Sequence, residues 1–182
     1  MPSLAIPPPF RDVKTIRDRA RQHIEQGAVT AGYSADRRVV LQLLNAALAT
    51  ELVCVLRYRR HYYMASGFRG ATAAAEFLAH AVEEQVHADR IAQRIVQLGG
   101  EPDLDPDGLQ ARSHSEDKAG DTLDEMIRED LVAERIAVES YSEMIRFLGD
   151  GDPTTRRMLE EILAKEEEHA EDMADLLRVV GV

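Results

Sequence analysis

The chain has 182 residues, 45% hydrophobic and 30% charged, with a formal net charge of -11 and one cysteine. That length suits one sizeable core rather than two domains, the acidic balance repels nucleic-acid phosphates, and a single cysteine excludes an internal disulfide. The opening MPSLAIPPPF has neither a basic region nor a continuous apolar stretch, and no apolar run of bilayer-spanning length is read along the chain, so a cytoplasmic location is expected.

In chain order, residues 1–33 read as an N-terminal extension and residues 34–182 as one bundle domain. The prolines of IPPP predict an extended or disordered lead-in, and residues 11–27 a short helix behind it. Arg11, Lys14, Arg17, Arg19 and Arg21 outnumber Asp12, Asp18 and Glu25 there by two, a weak basic arm through which DNA binding is not expected. A first long helix is predicted from about Ser34 to Met64, ending at the glycines of SGFRG. The second runs from about Thr72 to Leu98 and stops at Gly99, Gly100 and Pro102. The stretch DPDGLQARS, inside a connection running from Gly99 to Asp121, is expected to hold a helical turn at most. Thr122 followed three residues later by Glu125 announces the third helix as a capping box, and Gly149 ends it. Asp152 as cap and Pro153 at the first helical position open the fourth, which runs to about Val180. Short outer turns and a long middle connection describe an all-α protein: a four-helix bundle of two helical hairpins joined by a long crossover.

Stepping by three and four residues gives each helix its inward stripe. The first carries Val40, Leu44, Ala47, Glu51, Cys54 and Tyr58, and the second Phe77, His80, Glu84, His87, Ile91 and Ile95. The third carries Ile127, Leu131, Glu134, Val138, Tyr141, Ile145 and Leu148, and the fourth Leu159, Ile162, Glu166, His169, Met173, Leu176 and Val180. Each stripe holds one glutamate near its middle, and two add a histidine three residues later on the same face. No lysine or arginine falls on these stripes. Four carboxylates desolvated together would each cost several kcal/mol or take up a proton unless something cationic compensates them. Two divalent metals do so: Glu51, Glu84, Glu134 and Glu166 balance their charge, and His87 and His169 complete the shells. Oxygen-rich donors with one nitrogen per metal suit iron, with manganese the alternative, better than a structural zinc site. Glu51 to Glu84 spans 33 residues and Glu134 to Glu166 spans 32, an internal pseudo-repeat in which each hairpin supplies half a site.

ELVCVLRY (51–58), EEQVHADR (83–90), LGGEPDLD (98–105), EDLVAE (129–134) and EEEHAEDM (166–173) together resemble the bacterioferritin branch of the ferritin-like superfamily, over roughly residues 35–180. That resemblance implies a ferritin-like bundle and a ferroxidase centre of the six residues named. Such a centre takes two iron ions per subunit and oxidises Fe(II) to Fe(III) with O2 or H2O2. Tyr58 matches the family tyrosine beside the centre, a candidate hydrogen-bond partner or electron donor, while Tyr141 reads as core filler. Glu83 matches an acidic inner-surface position and His80 stands where relatives carry another carboxylate, but Glu83 reads more readily as a solvated side chain. Cys54 reads as a small buried hydrophobe, and His23, His61 and His114 have no usable partner spacing. Haem-binding relatives place methionine directly after the second-helix glutamate, where this chain has Gln85, so haem is not expected. The chain ends after the fourth helix, without the short fifth helix of the 24-subunit cages, and carries the N-terminal extension instead. This resembles Dps-like mini-ferritins with a bacterioferritin-type site inside each bundle, and implies a hollow shell of 12 subunits, with 24 the alternative. A peroxidase or catalase of rubrerythrin-like type, with fixed iron or manganese, is the competing reading.

Overall fold

The computed structural model describes residues 12–65 and 67–180. The IPPP lead-in and Arg11 of the basic arm lie outside them. The extension helix, α1, spans Val13–Ala20 and is capped by Asp12, whose Oδ1 accepts the Thr15 amide at 3.0 Å. It stops seven residues before the predicted end. None of its residues is buried, and a helix this short without a packed face gains little by continuing. A single 3-10 turn over Ile24–Gln26 follows, and Val29 then enters the core.

Asp36 sets the start of α2, Arg37–Met64, by accepting the amides of Arg38 and Val39 at 3.0 and 3.3 Å. The next helix, α3, spans Gly67–Gln97 and so begins five residues before the expected Thr72. Gly70 does not break it. A Cβ at that buried position would stand 3.2 Å from the carbonyl carbon of Ala65, so the glycine lets the chain fold back tightly. The single helical turn α4, Leu109–Arg112, lies inside the crossover. The capping box opens α5, Leu123–Leu148, as read: Thr122 Oγ1 accepts the Glu125 amide at 3.2 Å, and Glu125 Oε2 accepts the Thr122 amide at 3.1 Å. Gly149 closes it at a φ of 47°, and α6 runs over Pro153–Val180 with Asp152 capping the Thr155 amide at 2.9 Å.

The closest packing is within the hairpins α2/α3 and α5/α6. They meet through α2 against α5 and α3 against α6, while α4 rests on α2. No strand occurs among the described residues. Two apolar clusters fill the bundle. One is built on Leu44, Ile91, Ile95, Tyr141 and Leu159, the other on Tyr58, Phe77, Ile127 and Met173. Between them lies the layer of four glutamates and two histidines.

Two polar networks escape the stripes read from sequence. In α5 the buried face lies to one side of the predicted stripe: Ile127, Glu134, Tyr141 and Leu148 are buried as read, but Asp130, Ala133, Ala137 and Met144 are buried with them while Leu131, Val138 and Ile145 are only half-buried. Asp130 meets two buried partners from α2, with Oδ1 at 3.1 Å from Arg57 Nε and Oδ2 at 2.8 Å from His61 Nδ1. The same two side chains hold the crossover: Arg57 donates to Ser115 Oγ at 3.0 Å and to the Glu116 carbonyl at 2.9 Å, and His61 Nε2 stands 2.8 Å from the Ala119 carbonyl. At the other end Asp152 joins Arg94 of α3 at 2.8 Å and accepts the Tyr33 hydroxyl at 3.0 Å, pinning the extension to the α5–α6 turn. By length and composition α2 could cross a bilayer, contrary to the expectation from sequence. Here its apolar face packs inside the bundle and carries buried Glu51, Arg57 and His61.

Candidate metal centre

Each of the six predicted donors comes from mid-helix: Glu51 on α2, Glu84 and His87 on α3, Glu134 on α5, Glu166 and His169 on α6. All six are at most 5% exposed. Their donor atoms fall into two groups, each with its atoms within 4.8 Å of one another: Glu51, Glu84, His87 and Glu166 in one, and Glu84, Glu134, Glu166 and His169 in the other. Glu84 and Glu166 belong to both.

The oxygen-by-oxygen geometry gives that sharing a direction. His87 Nδ1 lies 3.3 Å from Glu84 Oε2 and 2.8 Å from Glu166 Oε1, while His169 Nδ1 lies 3.5 Å from Glu84 Oε1 and 3.7 Å from Glu166 Oε2. Each shared carboxylate therefore turns one oxygen toward each histidine. Glu51 Oε2 completes the first group at 3.4 Å from His87, and Glu134 Oε2 the second at 3.9 Å from His169. Glu51 Oε2, Glu84 Oε1, His87 Nδ1, Glu134 Oε2, Glu166 Oε1 and His169 Nδ1 are all buried with no well-aligned hydrogen bond, facing one another across the layer. Six orphaned polar atoms converging on one volume are costly without a cation between them, and oxygen with imidazole nitrogen is a donor set for iron or manganese.

Burial pushes the Glu51 carboxyl up to about 8, helped by the Glu84 charge, and carries Glu134 well above the carboxylate range. For the histidines burial opposes the charged ring, yet Glu166, Glu51 and Glu84 hold His87 up to about 12, and Glu166 and Glu84 hold His169 up to about 10. Without metal the layer thus keeps protons in the places where cations would stand.

The tyrosines are disposed crosswise. Tyr58 of α2 donates to Glu134 of α5, and Tyr141 of α5 donates to Glu51 of α2. Tyr58 therefore binds the glutamate of the other hairpin rather than its own, and Tyr141 is no mere filler. The available signal was spacing: Tyr141 follows Glu134 by seven residues, as Tyr58 follows Glu51. Glu83, read as solvated, keeps a side chain 43% exposed but also stands 2.6 Å from His169 Nε2, fixing that ring from behind. His80 stacks on His169 with ring centroids 4.0 Å apart and meets the Tyr58 hydroxyl at 3.1 Å. Burial, then the His169 charge, lower its pKa to about 4, which keeps this ring neutral. Cys54 is buried as expected. Arg57 donates to its sulfur at 3.2 Å, but burial pushes the thiol well up, which leaves little nucleophilic thiolate.

A family model for the ferritin-like domain matches residues 41–180. A bacterioferritin of Desulfovibrio desulfuricans is 30% identical over 141 residues, covering 76% of this chain and 75% of that protein. Among solved structures, a dodecameric thioferritin, the bacterioferritin-related protein of Bacteroides fragilis, superposes with a TM-score of 0.78 at 31% identity, over 81% of this chain and 89% of that one. A ferritin-like, diiron-carboxylate protein of Bacillus anthracis does so with a TM-score of 0.70 at 25% identity, over 79% and 99%. With the family model spanning the bundle and its donor layer, the chain belongs to the ferritin-like family.

Proposed function

We propose that the chain is a ferroxidase that binds two Fe(II) as substrate between Glu51, Glu84, His87, Glu134, Glu166 and His169, oxidises them to Fe(III), and stores the product inside an oligomeric shell. The observation that carries this reading is the pair of donor groups sharing Glu84 and Glu166, with one orphaned atom on each of the six residues. Two ferrous ions held side by side give up one electron each to a single oxidant. With H2O2 the sum is two Fe(II), one H2O2 and two protons to two Fe(III) and two waters; with O2 the same two electrons and two protons yield H2O2. Pairing the electrons avoids one-electron radical products.

The protein's part is positioning and proton handling. Glu84 and Glu166 fix the separation of the ions, and Glu51 and Glu134 close the outer sides under the hydroxyls of Tyr141 and Tyr58. Glu83 and His80 hold the His169 ring. Tyr58, bonded to Glu134 of the second donor group, is also a candidate electron donor. Haem plays no part in this reading, since Gln85 takes the methionine position and turns instead to Asp89 at 2.9 Å. The dodecameric relative supports a shell of twelve chains, about 240 kDa at 20.3 kDa per chain. A measured particle near twice that mass corresponds to the 24-subunit alternative, and a dimer overturns the storage role. Iron loading under an oxidant tests the activity: uptake far above the two ions per chain that the donor groups hold supports storage, and saturation at two does not.

Metal binding should also release protons. Glu51, Glu134, His87 and His169 all have raised pKa values, so near pH 7 the metal-free layer holds protons that a cation must displace. Affinity is therefore expected to fall as pH falls. Calorimetric titration with Zn(II) in buffers of different ionisation enthalpy should show at least about one proton released per metal. Heats independent of the buffer would contradict this account.

A further inference from the structure

On its outer side His80 faces two carboxylates that the paired centre does not use. Glu76, one helical turn before His80 on α3, and Asp172 on α6 bring carboxylate oxygens to His80 so that all three donor atoms lie within 4.8 Å of one another. The side chain of His80 is 3% exposed and that of Asp172 is 48%, so the group runs from the interior to the surface.

The Tyr58 hydroxyl holds His80 Nδ1 at 3.1 Å, which turns Nε2 outward toward Asp172. There Nε2 stands 3.4 Å from Asp172 Oδ2. Two donors each about 2.1 Å from a common ion stand roughly 3.0 to 3.4 Å apart, so this pair is spaced to share one. The nearby cation Lys165 is engaged elsewhere, by Glu168 at 2.6 Å.

We propose that Glu76, His80 Nε2 and Asp172 form a third divalent-metal site, outside the buried pair and separated from it by the His80 ring. One imidazole and two carboxylates, open to solvent on the remaining side, suit a first-row divalent cation such as Fe(II), Mn(II) or Co(II) that keeps part of its water. His80 also belongs to a donor group with Glu134 and His169, so its ring joins the surface site to the second half of the pair. A cation held there is one step from the centre. That it moves on to the pair rests on the function proposed above; that it binds does not.

The test uses Co(II) with the intact oligomer, under argon, by calorimetric titration and by anomalous diffraction from Co(II)-soaked crystals. The parent protein should bind three equivalents per chain, one weaker than the others. The variant Glu76→Gln/Asp172→Asn should lose that one and keep two, with the Co(II) peak beside His80 gone. Both changes lie on the solvent side of the cluster, and an unchanged circular dichroism spectrum checks that the bundle is intact. Equal stoichiometry in the two proteins, or no peak at His80 in the parent, overturns the site. If instead the parent binds one equivalent and the variant none, the surface site stands and the paired centre fails.

Discussion

Glu84→Gln should slow Fe(II) oxidation by at least about 100-fold, while Glu51→Gln should leave one competent metal site and a larger residual rate. The difference lies in geometry. Glu84 offers Oε2 toward His87 and Oε1 toward His169, so its loss weakens both groups, as should the loss of Glu166. Of the two groups of the paired centre, Glu51 and Glu134 each serve only one. Stopped-flow absorbance of the ferric product gives the rates, and anaerobic metal titration gives the stoichiometry. Equal residual rates in Glu84→Gln and Glu51→Gln would show that no carboxylate is shared. A parental rate in Glu84→Ala/His87→Ala would remove the assignment altogether.

The second large effect concerns stability. Asp130→Ala should destabilise the chain by about 3 to 5 kcal/mol, because it leaves the Arg57 guanidinium and the His61 ring buried without their acidic partner. For a chain of this size that corresponds to a fall in Tm of roughly 6 to 20 °C. Arg57, His61 and Asp130 are 3%, 0% and 0% exposed, and no solvent replaces what the carboxylate supplied. Asp130→Asn keeps a hydrogen-bond partner for each and should lose less. A Tm for Asp130→Ala within about 2 °C of the parent would mean that the trio is solvated and that the crossover is held by other contacts. Since Arg57 and His61 also grip Ser115, Glu116 and Ala119, the same variant should loosen residues 115–119, visible as faster amide hydrogen exchange there.

Much of this molecule was legible along the chain because its signals are local. Capping residues, proline at the first helical position and glycine past the last turn are read within four residues of one another. The four bundle helices accordingly lie close to where they were expected, apart from the early start of α3. There the glycines of SGFRG read as breakers. Only the packed turn shows that Gly70 serves close approach to Ala65 instead.

The donor layer was legible for a similar reason. Glutamate and histidine three residues apart must share a helix face, and a pseudo-repeat of 33 and 32 residues must bring equivalent turns to one level of the bundle. Sequence by itself thus determined which six side chains could meet and what charge they would require. It could not decide how they meet, since helix rotation and register are set by packing between segments far apart in the chain. That is why the sharing of Glu84 and Glu166, the crosswise bonds of Tyr58 and Tyr141, and the contact of Glu83 with His169 emerge only in three dimensions. It is also why His61 looked partnerless. Its partner Asp130 lies 69 residues away, and whether Asp130 or Leu131 turns inward beside Ile127 and Glu134 is set by the packing of α5, which no periodicity specifies.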